Sequence, residues 1–299
     1  MKLTMRAPWK HPAVIAYIVI AIPLMLGQSV VALDELFMSV FGGMVGEGAQ
    51  THLQFARRTM FVPIGVIAQA AAVAAYPTLA RLFAEGKRTE MLSTVNKAMR
   101  YVLVLSIGAA GIVAATSLPA IRVLFERGSF TSEDTSAAAS ALFMYAFGIP
   151  VWGALQIITR AFYAKKEMWT PVIVGTVATI LAVPMYFVMH EAFGIEGVAI
   201  TSVITLGAYT AVLMGVWYRP ADARVGFWPM IEGAGRAIPL AVPAAFAAGA
   251  VAWAIATGIQ GSPTISAIIA LVAGGAVYVG VVIGLGGVLY DWLGRGVTK

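Results

Sequence analysis

The stretch Leu124-Phe-Glu-Arg-Gly-Ser-Phe-Thr-Ser-Glu-Asp-Thr135 is a short polar segment between two long apolar runs. Gly128 is the kind of residue that ends a helix, and Thr131 or Ser132 can cap the helix that follows. The two acidic residues after Ser132 would then stand in the first turn, where negative charge is favourable. The stretch therefore predicts a helix–turn–helix corner.

Apolar runs continue on both sides of this corner over almost the whole chain. Hydrophobic residues make up 60% of the sequence and charged residues 11%, about half the charge of an average soluble domain. A helix needs roughly 20 mostly apolar residues to cross a bilayer. Eight stretches meet this requirement: 12–41, 56–83, 100–121, 137–162, 170–190, 195–218, 233–257 and 264–290. We therefore predict an all-α polytopic membrane protein with about eight transmembrane helices.

Lysine and arginine are distributed unevenly between the two sides that alternating spans would create. Four of them, Arg57, Arg58, Arg122 and Arg127, fall on one side, and the other sixteen fall on the side of both termini. Positive charge is held on the cytoplasmic side of membrane proteins. We therefore expect both termini to be cytoplasmic, and the net charge of +6 does not indicate a nucleic-acid partner.

The segment that follows the sixth predicted span divides the chain into two parts. It runs Arg219-Pro-Ala-Asp-Ala-Arg-Val-Gly-Phe-Trp-Pro229 and is rich in polar residues and proline. We interpret residues 219–232 as a cytoplasmic linker. It separates a six-helix lobe, residues 1–218, from a terminal two-helix appendage, residues 233–299.

Asp34 and Glu35 are carboxylates inside the first predicted span. Because an ionised carboxylate in hydrocarbon is costly, such residues generally face a bundle interior or a water-filled cavity. They are candidates for a cation or proton site that couples ion movement to transport. The alternative is that both lie near the outer end of a long helix, in contact with headgroups or with a neighbouring arginine.

Arg57 and Arg58 begin the second predicted span, on the side that otherwise has little positive charge. The planar guanidinium is suited to binding a phosphate or diphosphate, which makes both residues candidates for substrate binding. The alternatives are that they extend to the membrane interface or pair with Asp34 or Glu35.

Several classes of site are excluded by the residues present. The chain has no cysteine, so it has no disulfide, no catalytic thiolate and no cysteine-ligated metal. Its three histidines are isolated, without the spacing of metal ligands. We find no phosphate-binding glycine loop, no HExxH motif and no nucleophile elbow. We therefore predict neither an enzyme nor a metal centre, and no cofactor other than a coupling cation.

Several phrases resemble the lipid II flippase family MurJ/MviN, in order and at matching spacing over most of residues 20–218. They are Phe55-Ala-Arg-Arg-x-x-x-x-Pro-x-Gly65, Tyr76-Pro-Thr-Leu-Ala80, Phe125-Glu-Arg-Gly-Ser-Phe-Thr-x-x-Asp-Thr135, Phe162-Tyr-Ala-x-x-x-x-x-Thr-Pro171 and Gly194-Ile-Glu-Gly-Val-Ala199. The resemblance implies the multidrug/oligosaccharidyl-lipid/polysaccharide (MOP) exporter fold, in which two six-helix lobes surround a central cavity. This chain is similar to the second lobe followed by the two helices that the family adds at its end.

The resemblance also implies roles for particular residues. Arg58 matches a cavity arginine of the second lobe, whereas the family's other cavity arginines belong to the first lobe and have no counterpart here. Asp34 matches the acidic residue of a Na⁺ or H⁺ site that some members build between this span and spans five and six. Thr201, Ser202 and Thr205 are the candidate oxygen donors on span six. The asparagines that the family often places on span five are absent.

The function implied is that of a lipid-linked oligosaccharide flippase in the bacterial cytoplasmic (inner) membrane. Its substrate would be the peptidoglycan precursor lipid II or a related undecaprenyl-diphosphate sugar, moved from the inner to the outer leaflet by alternating access. The partners implied are membrane lipid and either a first-lobe chain or a second copy of this chain. Two alternatives remain open: a non-transporting membrane scaffold that binds a lipid-linked cell-wall intermediate, and an exporter of drugs or of another polyprenyl-linked sugar.

Overall fold

The computed structural model describes residues 12–218, 227–258 and 263–284, and every regular element in these residues is a helix. In chain order the helices are α1 (Pro12–Val45), α2 (Ala49–Ile64), α3 (Ala70–Ala84), α4 (Arg88–Ala115), α5 (Ser117–Phe125), α6 (Ser132–Ala146), α7 (Ile149–Ala164), α8 (Trp169–Tyr218), α9 (Phe227–Gly258) and α10 (Pro263–Gly284). One π-helical turn, Gly65–Gln69, joins α2 to α3 without interrupting the rod. The prediction of an all-α protein is confirmed.

Several of these helices are long and apolar enough to cross a membrane. In the part of the chain that the structure describes, four stretches meet this test: Ala49–Ala84, Arg88–Ala115, Trp169–Tyr218 and Ala241–Gly258. Helices α6 and α7, which are bent by 49° relative to each other, form a fifth if they are counted together. The chain therefore has the helices of a polytopic membrane protein, and the number of eight crossings stays a prediction.

Helix α8 folds back on itself at Gly194. A straight helix of its 50 residues would measure about 75 Å, far more than the roughly 30 Å of a bilayer's hydrocarbon core. Gly194 has φ 56° and ψ −128°, a backbone conformation that side chains with a Cβ rarely adopt. The Tyr209 hydroxyl donates a hydrogen bond to the Pro171 carbonyl at 3.0 Å, which requires two antiparallel arms. These arms correspond to the fifth and sixth predicted spans.

The corner predicted at residues 124–135 is present between α5 and α6. Thr131 caps α6: its side chain accepts from the Asp134 backbone N–H, while the Asp134 carboxylate accepts from the Thr131 backbone N–H. The Thr135 hydroxyl donates to Glu126 at 2.8 Å and lowers the pKa of that carboxyl below its usual value. Gly128, with φ 65°, lies within the turn rather than at the helix end, because α5 already stops at Phe125.

Several predicted span boundaries differ from the helices observed, and two of the differences concern α2 and α4. Helix α2 begins at Ala49 rather than at residue 56, and α4 covers Arg88–Ala115 instead of residues 100–121. Hydropathy marks the apolar part of a helix, whereas the hydrogen-bonded helix also includes polar turns at its ends. One consequence matters for function: Arg57 and Arg58 lie well inside α2 and not at its first turn.

The terminal pair, α9 and α10, packs closely against α4. A Cβ at Gly249 of α9 would lie 2.9 Å from the Gly111 carbonyl oxygen of α4, so the two backbones are in direct contact, as small residues permit in membranes. The Tyr278 hydroxyl of α10 donates to the Val104 carbonyl. Residues 219–226 of the predicted linker and residues 285–299 lie outside the described residues. Helix α9 begins at Phe227, before the predicted boundary at 233.

Candidate functional site

A buried ion pair joins α1 to α2. The turn between Val45 and Ala49 is short, so the two helices run side by side in opposite directions. One guanidinium nitrogen of Arg57, Nη1, donates to Asp34 Oδ2 at 2.5 Å. The exposed fraction is 5% for the Arg57 side chain and 18% for that of Asp34. Of the alternatives open from the sequence, the pairing of Arg57 with Asp34 is the one present.

Both arms of α8 also contact the Asp34 carboxylate. The Tyr186 hydroxyl, on the first arm, donates to Oδ1 at 3.2 Å. The Ser202 hydroxyl, on the second arm, lies 3.0 Å from Oδ1 and 3.2 Å from Oδ2. These two residues lie on opposite sides of the Gly194 turn, so the hairpin shape of α8 brings them together. We refer to Asp34, Arg57, Tyr186 and Ser202 as the Asp34 cluster.

The Asp34 cluster lies deep within the bundle. At 1.5 Å of rise per residue, Asp34 is about 16 Å from the end of α1, and Arg57 is about 12 Å from the start of α2. The cluster therefore lies about two to three helical turns away from the ends of α1 and α2 that the short turn joins.

The guanidinium of Arg57 has donors that the ion pair does not use. Its Nε and Nη2 atoms are buried and make no hydrogen bond to any residue that the structure describes. The Phe61 ring centroid lies 5.6 Å from the guanidinium carbon and the Trp152 ring 6.0 Å from it, within the range of cation–π attraction. The Tyr145 hydroxyl is close enough to interact with this charge electrostatically. Arg57 is thus held from several sides, and two of its three guanidinium nitrogens make no hydrogen bond within the described residues.

Arg58 lies next to the cluster but faces a different space. It is exposed and lines an open cleft of about 210 Å³ together with Arg57 and Glu35; Met38, Gln54 and Phe61 complete the lining. We call this space the Arg58 cleft. In the described residues Arg58 forms no ion pair of the kind that Arg57 makes. The cleft therefore presents the guanidinium of Arg58 next to the side chain of Arg57, whose Nε and Nη2 atoms are buried.

The residues of span six that were predicted as oxygen donors make different contacts. The Thr201 hydroxyl donates to the Gly197 carbonyl of its own helix at 2.7 Å, so it is not directed at Asp34. Thr205 lines a narrow cavity of about 40 Å³ that Asp34 also borders. Ser202, which lies between them in sequence, is the residue that contacts the carboxylate. Whether any of these residues takes part in ion coupling stays a prediction.

Tyr186 is the member of the cluster that sequence reasoning missed. A signal was available, because a tyrosine in the middle of an apolar span needs a partner for its hydroxyl. The partner could not be assigned, since Asp34 is 152 positions away in sequence and only the folded hairpin brings them together.

The cation that accompanies Asp34 in the cluster is the guanidinium of Arg57, with which it forms an ion pair. Within the described residues there is also no group of three or more His, Cys, Asp or Glu side chains that could hold a metal ion. The carboxylate is already neutralised by Arg57.

The chain is similar to known proteins over nearly its full length. The family model "Lipid II flippase MurJ" matches residues 1–272. A probable lipid II flippase MurJ of Rhizobium meliloti (strain 1021) is 27% identical over 214 residues, covering 72% of this chain and 40% of the relative. A probable lipid II flippase MurJ of Vibrio cholerae is 26% identical over 194 residues, covering 65% of this chain and 37% of the relative.

Solved structures show the same fold. A lipid II flippase MurJ in an inward closed conformation superimposes with a TM-score of 0.68 at 19% identity, over 90% of this chain and 53% of that protein. A MOP superfamily transporter from Pyrococcus furiosus gives a TM-score of 0.59 at 14% identity, over 89% of this chain and 64% of that protein. The chain therefore has the MOP exporter fold, as predicted.

The chain matches only part of the length of each of these relatives. The chain spans about two fifths of the length of the curated relatives it matches and about half of the solved flippase. The family and its structural neighbours are transporters, which confirms the prediction that the chain is not an enzyme. The chain belongs to the family of the lipid II flippase MurJ.

Proposed function

We propose that this chain is one lobe of a flippase for lipid-linked oligosaccharides, and that its substrate is lipid II. Membership of the MurJ family supports the substrate class. The observation that carries the proposal is the Arg58 cleft, which Arg57 and Arg58 line together. Two neighbouring guanidinium groups match the geometry and charge of a diphosphate.

The polyprenyl tail of such a substrate needs an apolar surface that lipid can reach. An open groove of about 520 Å³, lined almost wholly by apolar side chains, lies between α4, α6, α7 and α9. Phe143 and Phe147 stand on one wall, and Phe246 and Trp253 of α9 stand on the other. We assign the tail to this groove. The terminal pair contributes α9 to the lining of this groove.

Transport then requires a second lobe across the cavity. The mechanism proposed is alternating access, in which two lobes rock about a site near the midplane. The partner is either a separate first-lobe chain or a second copy of this chain, whose parallel arrangement an even number of spans would allow. The membrane is the bacterial inner membrane, with both termini in the cytoplasm.

The arrangement of basic residues supports this orientation. Phe83, Gly86 and Arg88, near the turn from α3 to α4, line one cavity with Lys165 and Trp217. Basic residues from separate parts of the sequence thus meet at one end of the bundle, opposite the Gly194 turn. Positive charge concentrated at one end is the pattern of a cytoplasmic face.

Two other functions remain open to the same fold. A membrane scaffold that binds a lipid-linked intermediate without moving it would use the Arg58 cleft but would not need a partner lobe. An exporter of drugs or of another polyprenyl-linked sugar would share the fold and differ in its preferred ligand. Competition between lipid II, other undecaprenyl-diphosphate sugars and a cationic drug for the cleft separates these functions.

Replacing Arg58 with alanine is expected to weaken lipid II binding by about tenfold to a hundredfold, since a hydrogen bond to a charged group contributes about 1.5–3 kcal/mol. Binding of fluorescent lipid II to the full chain in nanodiscs measures this change. The matched control is Arg88→Ala, which removes an exposed arginine at the other end of the bundle and should leave affinity unchanged. Equal affinity of wild type and Arg58→Ala would refute the assignment of the cleft.

A further inference from the structure

The Asp34 carboxylate has three hydrogen-bond donors around it. A carboxylate offers about four lone-pair directions. Arg57 occupies one through Oδ2, Tyr186 occupies one through Oδ1, and Ser202 lies within hydrogen-bond distance of both oxygens. Every partner comes from the chain itself. The charge of Asp34 is compensated by a cation that is covalently attached to α2.

The threonine hydroxyls on the two arms of α8 donate to their own helix rather than to Asp34. Thr201 donates to the Gly197 carbonyl, and Thr179 donates to the Gly175 carbonyl. The cavity of about 40 Å³ that Asp34 shares with Thr205 is lined mostly by apolar side chains. The rings of Phe61 and Trp152 pack near the guanidinium that compensates the charge of the carboxylate.

We propose that Arg57 is a tethered cation that takes the place of a free coupling ion at Asp34, and that this lobe therefore works without bound sodium. Arg57 determines ion specificity by excluding a free cation from the carboxylate. The contacts that join α1 and α2 to the two arms of α8 therefore form at any sodium concentration.

The tethered cation also connects the two parts of the site. Arg57 contacts Asp34 through Nη1 and borders the Arg58 cleft with the same side chain. An anion bound to Arg58 in the cleft would lie near the Arg57 side chain and would compete with Asp34 for the charge of its guanidinium. Anion binding, rather than sodium binding, would then loosen the contacts of α8 with α1. This consequence rests on the proposed function, whereas the sodium independence does not.

Thermal unfolding of the full chain in nanodiscs tests the proposal without any substrate. Sodium chloride is compared with choline chloride at equal ionic strength, so that screening is constant. The wild-type midpoint is expected to be the same in both salts. Arg57→Gln removes the tethered charge and frees Asp34, so its midpoint should rise in sodium by roughly 3–5 °C at a tenfold excess over the dissociation constant.

Two controls make the result specific to the Asp34 cluster. Arg58→Gln removes the neighbouring, exposed arginine and should remain insensitive to sodium, like the wild type. The double variant Asp34→Asn with Arg57→Gln should lose the sodium effect that Arg57→Gln gains. If the loss of any arginine caused the rise of the midpoint in sodium, Arg58→Gln and the double variant would show the same rise as Arg57→Gln.

Two results would overturn the proposal. One is a wild-type midpoint that is higher in sodium than in choline and loses this difference in Asp34→Asn. The other is a folded Arg57→Gln variant that does not respond to sodium. If Arg57→Gln does not fold, equilibrium binding of ²²Na⁺ to the wild type decides: saturable binding contradicts the tethered cation, and its absence supports it. Because lipid II is not involved, neither result alters the status of the proposed substrate.

Discussion

Replacing Asp34 with alanine is expected to lower the free energy of unfolding by about 3–5 kcal/mol, the usual cost of removing one partner from a buried ion pair. The Arg57 side chain is only 5% exposed, so its charge cannot move to water once the carboxylate is gone. The Tyr186 and Ser202 hydroxyls would lose their acceptor at the same time. Unfolding in mixed micelles with increasing denaturing detergent, followed by circular dichroism, measures the change.

Two further variants separate the ion pair from a general loss of charge. Glu35→Ala removes the adjacent carboxylate, which is exposed, and should change stability by no more than about 0.5 kcal/mol. The double variant Asp34→Leu with Arg57→Met should recover most of the loss, because replacing both charges with apolar groups of similar size is often neutral. The ion-pair account fails if Asp34→Ala costs no more than Glu35→Ala.

Replacing Gly197 with alanine is expected to cost about 3 kcal/mol or more, at or above the upper end of the usual range for overpacking. A Cβ at this position would overlap the Met189 carbonyl oxygen on the other side of the Gly194 turn. Both groups are fixed to the backbone, so a change of side-chain rotamer cannot relieve the clash. The two arms of α8 would have to move apart, which would separate Tyr186 and Ser202 from Asp34.

A second glycine on the same arm provides the control. Gly207 has no atom within 4 Å of an added Cβ, so Gly207→Ala should be tolerated and can gain up to about 1 kcal/mol in helix propensity. The same unfolding measurement compares the two variants. Equal stability of Gly197→Ala and Gly207→Ala would show that the arms of α8 are not packed as described.

The helical fold could be predicted from the sequence because its signals are local. Apolar runs of sufficient length mark the membrane helices, and Thr131 and Asp134 have the spacing of a capping box. The helix ends were less predictable. The first turns of α2 and α4 are polar, and a hydropathy window does not include them. The close contact of α9 with α4 depends on Gly111 and Gly249 lying opposite each other, which no local pattern reveals.

The candidate site was predictable only in part. Asp34 and Arg57 stood out because ionisable residues in apolar helices need a partner, but the sequence could not show that they are partners of each other. Ser202, rather than Thr201, contacts Asp34, because one step along a helix turns a side chain by about 100°. The contact of Tyr186 with Asp34 could not be predicted, because it depends on the hairpin at Gly194. Packing determines which residues are in contact between helices, and their spacing in the sequence does not.

The measurement that tests the central claim most directly is the mass of the full chain in nanodiscs with lipid II added, by native mass spectrometry. We expect an assembly of two lobes, either two copies of this chain or this chain with a second membrane protein, that retains lipid II. The Arg58→Ala variant should form the same assembly and lose the lipid. A monomer that retains no lipid II would contradict the account of this chain as a lobe of a lipid II flippase.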